Sequence, residues 1–307
     1  MSAKTTSGIM SQGIQKILSS YRNSLFAVTV CALLPYTMWL ALAFIALIVL
    51  RLNWKKALAV MLPVMIVYTC ALVRMMRVEH ALITTIITFL PSFMGAWVLR
   101  MTQRWNMLAL CYLLLIIITA MLVHTFLPEL IDLQYKVIET MIHSVSNDEP
   151  LFDQLLGESA HISKAIISNL TFGVEIAGLV MSSMCSLFIA RAMQSMLINR
   201  GGFKQELMNL RGDKLSMILA LAIIIAAYTG NILAVNLLPI ILLYFMVAGL
   251  SLLLHIFSQR HVFSIFCFFV IPMLIVPFII IPMYIIMGAL DCVVNFRTSK
   301  LLFYRGN

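Results

Sequence analysis

The chain has 307 residues, of which 62% are hydrophobic and only 11% charged. Ordinary soluble domains carry roughly 25% charge, so a soluble enzyme, a disordered chain and a nucleic-acid-binding module are all excluded as readings, despite a net charge of +9. The expected fold is all-α, a polytopic transmembrane helical bundle with about eight to nine membrane segments. An amphipathic extracytoplasmic helical insertion is expected within it.

The first 24 residues are polar and basic, with Lys4, Lys16 and Arg22, while Met10, Ile14, Ile17, Leu18 and Tyr21 recur at helical spacing. An amphipathic helix on the cytoplasmic membrane surface is expected over 1–24. No small-residue cleavage site follows, so this segment reads as an anchor and not as a cleaved signal. Residues 25–50 are too long for one ordinary crossing. Pro35 divides them into short helices, about 24–35 and 37–50. Further apolar runs occupy 57–73, 81–99, 106–127, 165–190, 216–233, 238–257 and 263–289. They form an N-terminal membrane region over 25–127 and a C-terminal one over 165–290.

Charge placement sets the orientation. With the N-terminus inside and 25–50 split, inside segments hold 14 Lys and Arg and outside segments 7; unsplit, the division is 10 and 11. The positive-inside rule favours the split and a cytoplasmic N-terminus. The last run contains Pro272, Pro277 and Pro282. It reads either as one tilted crossing or as a broken, re-entrant segment, which leaves open the side of the basic tail 291–307.

Between the two membrane regions, 128–164 gathers seven of the chain's twelve acids against Lys136 and Lys164. Leu130, Ile131, Ile138, Met141, Ile142 and Val145 form an apolar stripe, and Asn147 to Pro150 mark a turn. The acids read as the solvated face of a surface helix, or as a surface that attracts cations or a basic partner.

Glu175 stands near the middle of the run 165–190, where a carboxylate is costly; it marks a polar cavity or partner, or it locks helix packing as a protonated or hydrogen-bonded acid. Thr171, Glu175, Gly178 and Ser182 share one helical face. A second polar line runs His80, Thr84, Thr88, Ser92, and the candidate ligand-binding or polar-cavity set is Glu175, Thr171, Thr84, Thr88 and Ser92. Gly178, Ser182 and Ser186, with Ala190, repeat at four-residue spacing, as do Ala222, Ala226 and Gly230; both rows predict close helix packing. Asn231 and Asn236 bracket an expected turn.

The six cysteines are scattered without a CxxC pair, so neither metal nor disulfide framework is expected. No zincin, phosphate-loop, nucleophile-elbow or dinucleotide motif is present. No catalytic role and no cofactor are expected.

The cytoplasmic elbow 198–214 contains Gly201, Gly202, Phe203, Glu206, Leu207 and Arg211. Its glycines permit a sharp bend, and Phe203, Leu207 and Leu210 line one apolar face. The elbow reads as an interaction motif for lipid or a partner, or as a connector that reorients the next crossing. Ala190-Arg191, Gln194, Asn199, Gly201-Gly202-Phe203, Glu206 and Leu210-Arg211 resemble the central signature of the YybS-like family of uncharacterised bacterial membrane proteins. Gly288-Ala289-Leu290-Asp291 with Asn295-Phe296-Arg297 is similar to that family's closing segment. The chain departs from the pattern at Arg200, in place of proline, and at Asn295, in place of an acid. The resemblance implies a bacterial cytoplasmic (inner) membrane location. It also implies a distant fold likeness to substrate-capture subunits of energy-coupling-factor transporters, although residues 25–50 lack their docking Ala-xxx-Ala pair. Two functions follow as expectations: a component that binds or transports a small or lipid-like molecule, or a non-catalytic scaffold for other envelope proteins. The partners expected are the bilayer, a small molecule or other membrane proteins, and no nucleic acid.

Overall fold

In hydrocarbon, backbone N–H and C=O groups must be satisfied within their own segment, which leaves the helix as the economical answer for apolar runs of this kind. The computed structural model describes residues 12–34, 36–126, 129, 131, 136, 140, 164–198, 202–257, 271–294, 296 and 297, and every regular element among them is helical. The main helices are α1 (Tyr21–Leu33), α2 (Met38–Arg51), α3 (Trp54–Leu72), α4 (Val78–Thr102), α5 (Trp105–Phe126), α6 (Lys164–Ile198), α7 (Gly202–Met208), α8 (Lys214–Tyr228), α9 (Ile232–Ile256) and α10 (Pro277–Val294). Six of them, α3, α4, α5, α6, α9 and α10, are long and apolar enough to cross a membrane, while α2 and α8 are apolar but shorter. The protein is a multi-pass, membrane-embedded helical protein. The expected acidic insertion lies almost wholly outside the described residues, as do Gly201, Asn295 and the tail from residue 298.

Residues 25–50 do form two helices. Tyr36 takes a left-handed backbone at φ 64°, and the Thr37 hydroxyl donates to Cys31 O at 2.6 Å, closing the corner between α1 and α2. The division between α8 and α9 falls earlier than the expected runs. Gly230, at φ +83°, turns the chain, and Asn231 Oδ1 accepts from Ala234 N at 3.2 Å to cap α9. Pro239 therefore lies inside α9 and not near its start, a position membrane helices tolerate when neighbours cover the freed carbonyl. Asn236, expected at a turn, is fully buried in the same helix. In the last run, residues 271–275 are helical, Val276 is a bend, and α10 begins at Pro277, whose missing N–H costs nothing at a first helical position.

The described contacts divide into two units, Met1–Tyr112 with Leu179–Leu210 and Leu113–Gly178 with Arg211–Asn307. Both α5 and α6 run from one unit into the other. The first unit is built around α2, in which Ala41 through Leu50 are all buried. A helix that is apolar all round belongs in a core, and α1, α3 and α4 surround this one. Its 14 residues rise about 21 Å, short of a full bilayer. The second unit is built around α9, which packs on α8 and α10. There Gly249 and Gly288 face one another so closely that a Cβ on Gly249 would meet Tyr284 O and one on Gly288 would meet Phe245 O.

Candidate functional site

One end of the first unit is assembled by arginines that cap helix ends. Arg100, near the end of α4, donates from Nη1 to Val49 O at 2.7 Å and from Nη2 to Leu52 O at 3.3 Å. Val49 O is a carbonyl that the last turn of α2 leaves without an intrahelical donor, and Leu52 is the residue that follows the helix. Gln103, left-handed at φ 54°, closes α4 by donating from Nε2 to Arg100 O at 2.8 Å. Gln103 Oε1 then accepts from Arg191 Nη2 at 2.5 Å. Arg191, near the end of α6, also grips Glu206 of α7 with both faces of its fork, Nε to Oε2 at 2.9 Å and Nη2 to Oε1 at 3.0 Å. Its Nη1 donates to Gln194 Oε1 at 2.7 Å.

Phe203 of α7 stacks toward Phe188 with ring centroids 6.3 Å apart, and Phe188 lies 4.9 Å from Trp105. The elbow is therefore docked on its own unit: Phe203 and Leu207 are half-buried and Leu210 is buried. Replacing Arg191 with Lys removes the planar fork, whereas Glu206→Gln keeps the shape and loses only a partly solvated charge. Thermal unfolding in detergent should show a loss of about 1 kcal/mol for Glu206→Gln and a larger one for Arg191→Lys. Equal losses would contradict the bidentate reading.

The second unit holds a different cluster. Asp291, in the last turn of α10, is 1% exposed. Its Oδ2 accepts from Arg297 Nε at 2.9 Å and lies 3.9 Å from Arg211 Nε. Arg297 Nη2 reaches Ser251 Oγ of α9 at 3.3 Å. Arg211 donates to the backbone carbonyls of Asp291 at 3.0 Å and Cys292 at 3.3 Å, which caps α10. The neighbouring Gly212 leaves no room for a Cβ against Cys292 Sγ. Arg211 is thus a clamp on its own chain. Asp291, Arg297, Arg191, Gln103 and Ser251 were not among the expected site residues; the signal that could have found the first three is their place in the two motif segments.

The polar-cavity candidates divide. Glu175 is exposed, not enclosed, and Gly178 on the same side of α6 has nothing within 4 Å of a built Cβ. Thr171 is half-buried and donates to its own helix at Ile167 O, 2.9 Å away. Thr88 likewise donates to Thr84 O at 2.7 Å, an internal bond that leaves little for a ligand. Ser92 is buried in a packed hydroxyl chain, donating to Ser183 Oγ at 3.1 Å, with Tyr112 Oη 2.6 Å from the same Ser183. Thr85 of the same helix, also buried, is bonded to Thr69 at 2.9 Å.

Of the packing candidates, Ser186 is buried and donates to Trp39 O at 3.1 Å. Among the described residues Gly178, Ser182, Ala222 and Gly230 make no such close approach: Ser182 and Ala222 are exposed, and a Cβ on Gly178 or Gly230 would meet open space. Close approach is found at Gly95 against Tyr112, at Gly173 against the Asn236 backbone, and at Gly249 with Gly288.

A cleft of about 250 Å³ opens in the second unit, lined by Ile117 and Ala120 of α5, Ala226 of α8, and Asn231, Leu233, Ala234 and Leu237 at the start of α9. Asn231 is the one polar side chain in that lining, and its Oδ1 is already used as a cap. Close by in sequence, the Asn236 Nδ2 lies 2.9 Å from His124 Nε2. Among the described residues no group of three His, Cys, Asp or Glu side chains is placed to hold a metal ion. Compared with protein-family models, curated proteins and solved structures, the chain matches none of them.

Proposed function

We propose that this protein is a non-catalytic membrane component that binds a small, largely apolar molecule in the cleft between α5, α8 and the start of α9. The observation that carries the reading is the lining: six of the seven residues are Ala, Leu or Ile. Such walls suit a hydrocarbon segment of a lipid-like molecule. A volume of about 250 Å³ is below the usual 300–1,000 Å³ of sites for drug-sized ligands. A bulky, polar, water-soluble vitamin therefore fits the cleft poorly, and lipid-like cargo is favoured over the kind that capture subunits take.

The orientation proposed places the arginine-capped end of the first unit in the cytoplasm, as the positive-inside rule prefers. Membership of the YybS-like family and residence in a bacterial cytoplasmic membrane belong to the same proposal. Their support is that both motif segments supply the residues of the Arg191–Glu206 and Asp291–Arg297 pairs.

Ala226→Leu tests the binding reading, because it adds three carbons to a half-buried wall of the cleft. The probe is 1-decanol added to the purified protein in detergent. Wild type should gain thermal stability with increasing decanol, and the variant should gain at most a tenth as much at equal concentration, an effect of about 1.4 kcal/mol on affinity. Equal responses would reject the site.

A scaffold role is the second reading, favoured by the exposure of Glu175 and Gly178 on one side of α6. A carboxylate on a helix apolar enough to cross a membrane usually faces protein or a polar cavity. A co-purifying assembly that Gly178→Leu disperses would support that role over ligand binding.

A further inference from the structure

The end of the first unit that carries the Arg100 and Arg191 networks also collects a second set of cations with no such duty. Three contacts define that end. Arg100 ties the ends of α2 and α4 together, Tyr21 Oη donates to Ala59 O at 3.2 Å and brings the start of α1 beside the start of α3, and Arg191 joins the end of α6 through Gln103. Arg51, Lys55, Lys56 and Arg104 therefore cluster there, with Lys16 and Arg22 beside the start of α1.

The described acids at that end do not neutralise them. Among the described residues of this unit the carboxylates are Glu79 and Glu206. Glu206 is held by Arg191. Glu79 sits at the opposite end of α4, 3.8 Å from Arg77. Among the described ion pairs, none includes Lys16, Arg22, Arg51, Lys55, Lys56 or Arg104. Two large aromatic side chains accompany them: Tyr21 is 52% exposed and Trp54 42% exposed. The Lys55 ammonium stands 5.7 Å from the Trp54 ring centroid. Exposed Trp and Tyr beside Lys and Arg, at the ends of apolar helices, is the composition of a segment seated at headgroup level.

We infer that Arg51, Lys55 and Lys56, framed by Trp54, form a binding surface for the phosphate headgroups of anionic phospholipids in the adjoining leaflet. The capping arginines have spent their N–H groups on carbonyls and on Glu206, so they hold the helix ends in place, while the unpaired cations meet the lipid. Each Lys or Arg near an anionic surface adds roughly a fivefold factor in association. Losing three should weaken the preference on the order of a hundredfold. This surface is independent of the cleft in the second unit, and either can fail without the other.

The test is native mass spectrometry of the full chain in a neutral detergent, with phosphatidylglycerol and phosphatidylcholine added at equal concentration. Wild type should retain phosphatidylglycerol adducts in at least tenfold excess, and raised salt should reduce the excess, since exposed charges are screened. The variant Arg51→Gln/Lys55→Gln/Lys56→Gln should retain the two lipids equally while melting like wild type in detergent alone. Inorganic phosphate should stabilise neither protein. Equal retention by wild type overturns the inference, as does a preference that survives in the triple variant. Stabilisation by inorganic phosphate alone would reassign the site to a free anion. Should the triple variant fail to fold, Lys55→Gln and Lys56→Gln singly must each lower the excess about fivefold, and an unchanged excess in both overturns the inference.

Discussion

Asp291→Ala should destabilise the protein by about 3 kcal/mol or more, the cost typical of removing one partner from a buried ion pair. The carboxylate is 1% exposed and the Arg297 side chain 10%, so water offers little to the guanidinium that the substitution leaves behind. Arg211 is 28% exposed and should recover part of its hydration. The damage therefore falls mainly on Arg297 and on the seam between α9 and the end of α10. Among the described residues Oδ1 of Asp291 has no hydrogen-bond partner, so the carboxylate's contacts there run through Oδ2. The double variant Asp291→Ala/Arg297→Ala should cost much less than the two single losses added together, with a coupling of 1 kcal/mol or more by the usual range for contacting residues. Additive losses in thermal unfolding would show that the pair is not the unit of stability here.

Gly288→Ala should cost a similar amount for a different reason. Its Cβ would enter the space of Phe245 O, and the mirror position Gly249 faces Tyr284 O. Backbone cannot rotate away as a side chain can, so α9 and α10 would have to separate along the seam. Overpacking typically costs 1–3 kcal/mol, and a clash with backbone belongs at the upper end. Gly178→Ala is the matched control, because a Cβ there meets open space. It should be neutral or stabilise by up to about 1 kcal/mol, as expected when Ala replaces Gly inside a helix. Both are read by the same melting experiment.

Helix class and most segment positions were legible because apolar run length is a property of the chain alone. The break at Tyr36 was legible too, from Pro35 and from the charge balance of the loops. Interior choices were not. Which glycines lie in a crossing depends on which faces meet, and four-residue spacing pointed to Gly178 and Gly230 where Gly249 and Gly288 make the contact. Neither of those glycines belongs to a small-residue row obvious in the sequence. Glu175 drew attention as a lone carboxylate in an apolar run, but spacing along one helix cannot reveal which side faces the protein. The elbow was legible as a bend with an apolar face, but not as a bend already covered by Phe188. Asp291 and Arg211 are 80 positions apart, and only the fold brings them together.

Native mass spectrometry of the protein, purified in mild detergent without added lipid, tests most directly the proposal that the second unit carries a small apolar molecule. A retained hydrocarbon-bearing species, present on wild type and absent from Ala226→Leu, is the predicted result. A chain that flies bare, or one that carries the same species after Ala226→Leu, would contradict it.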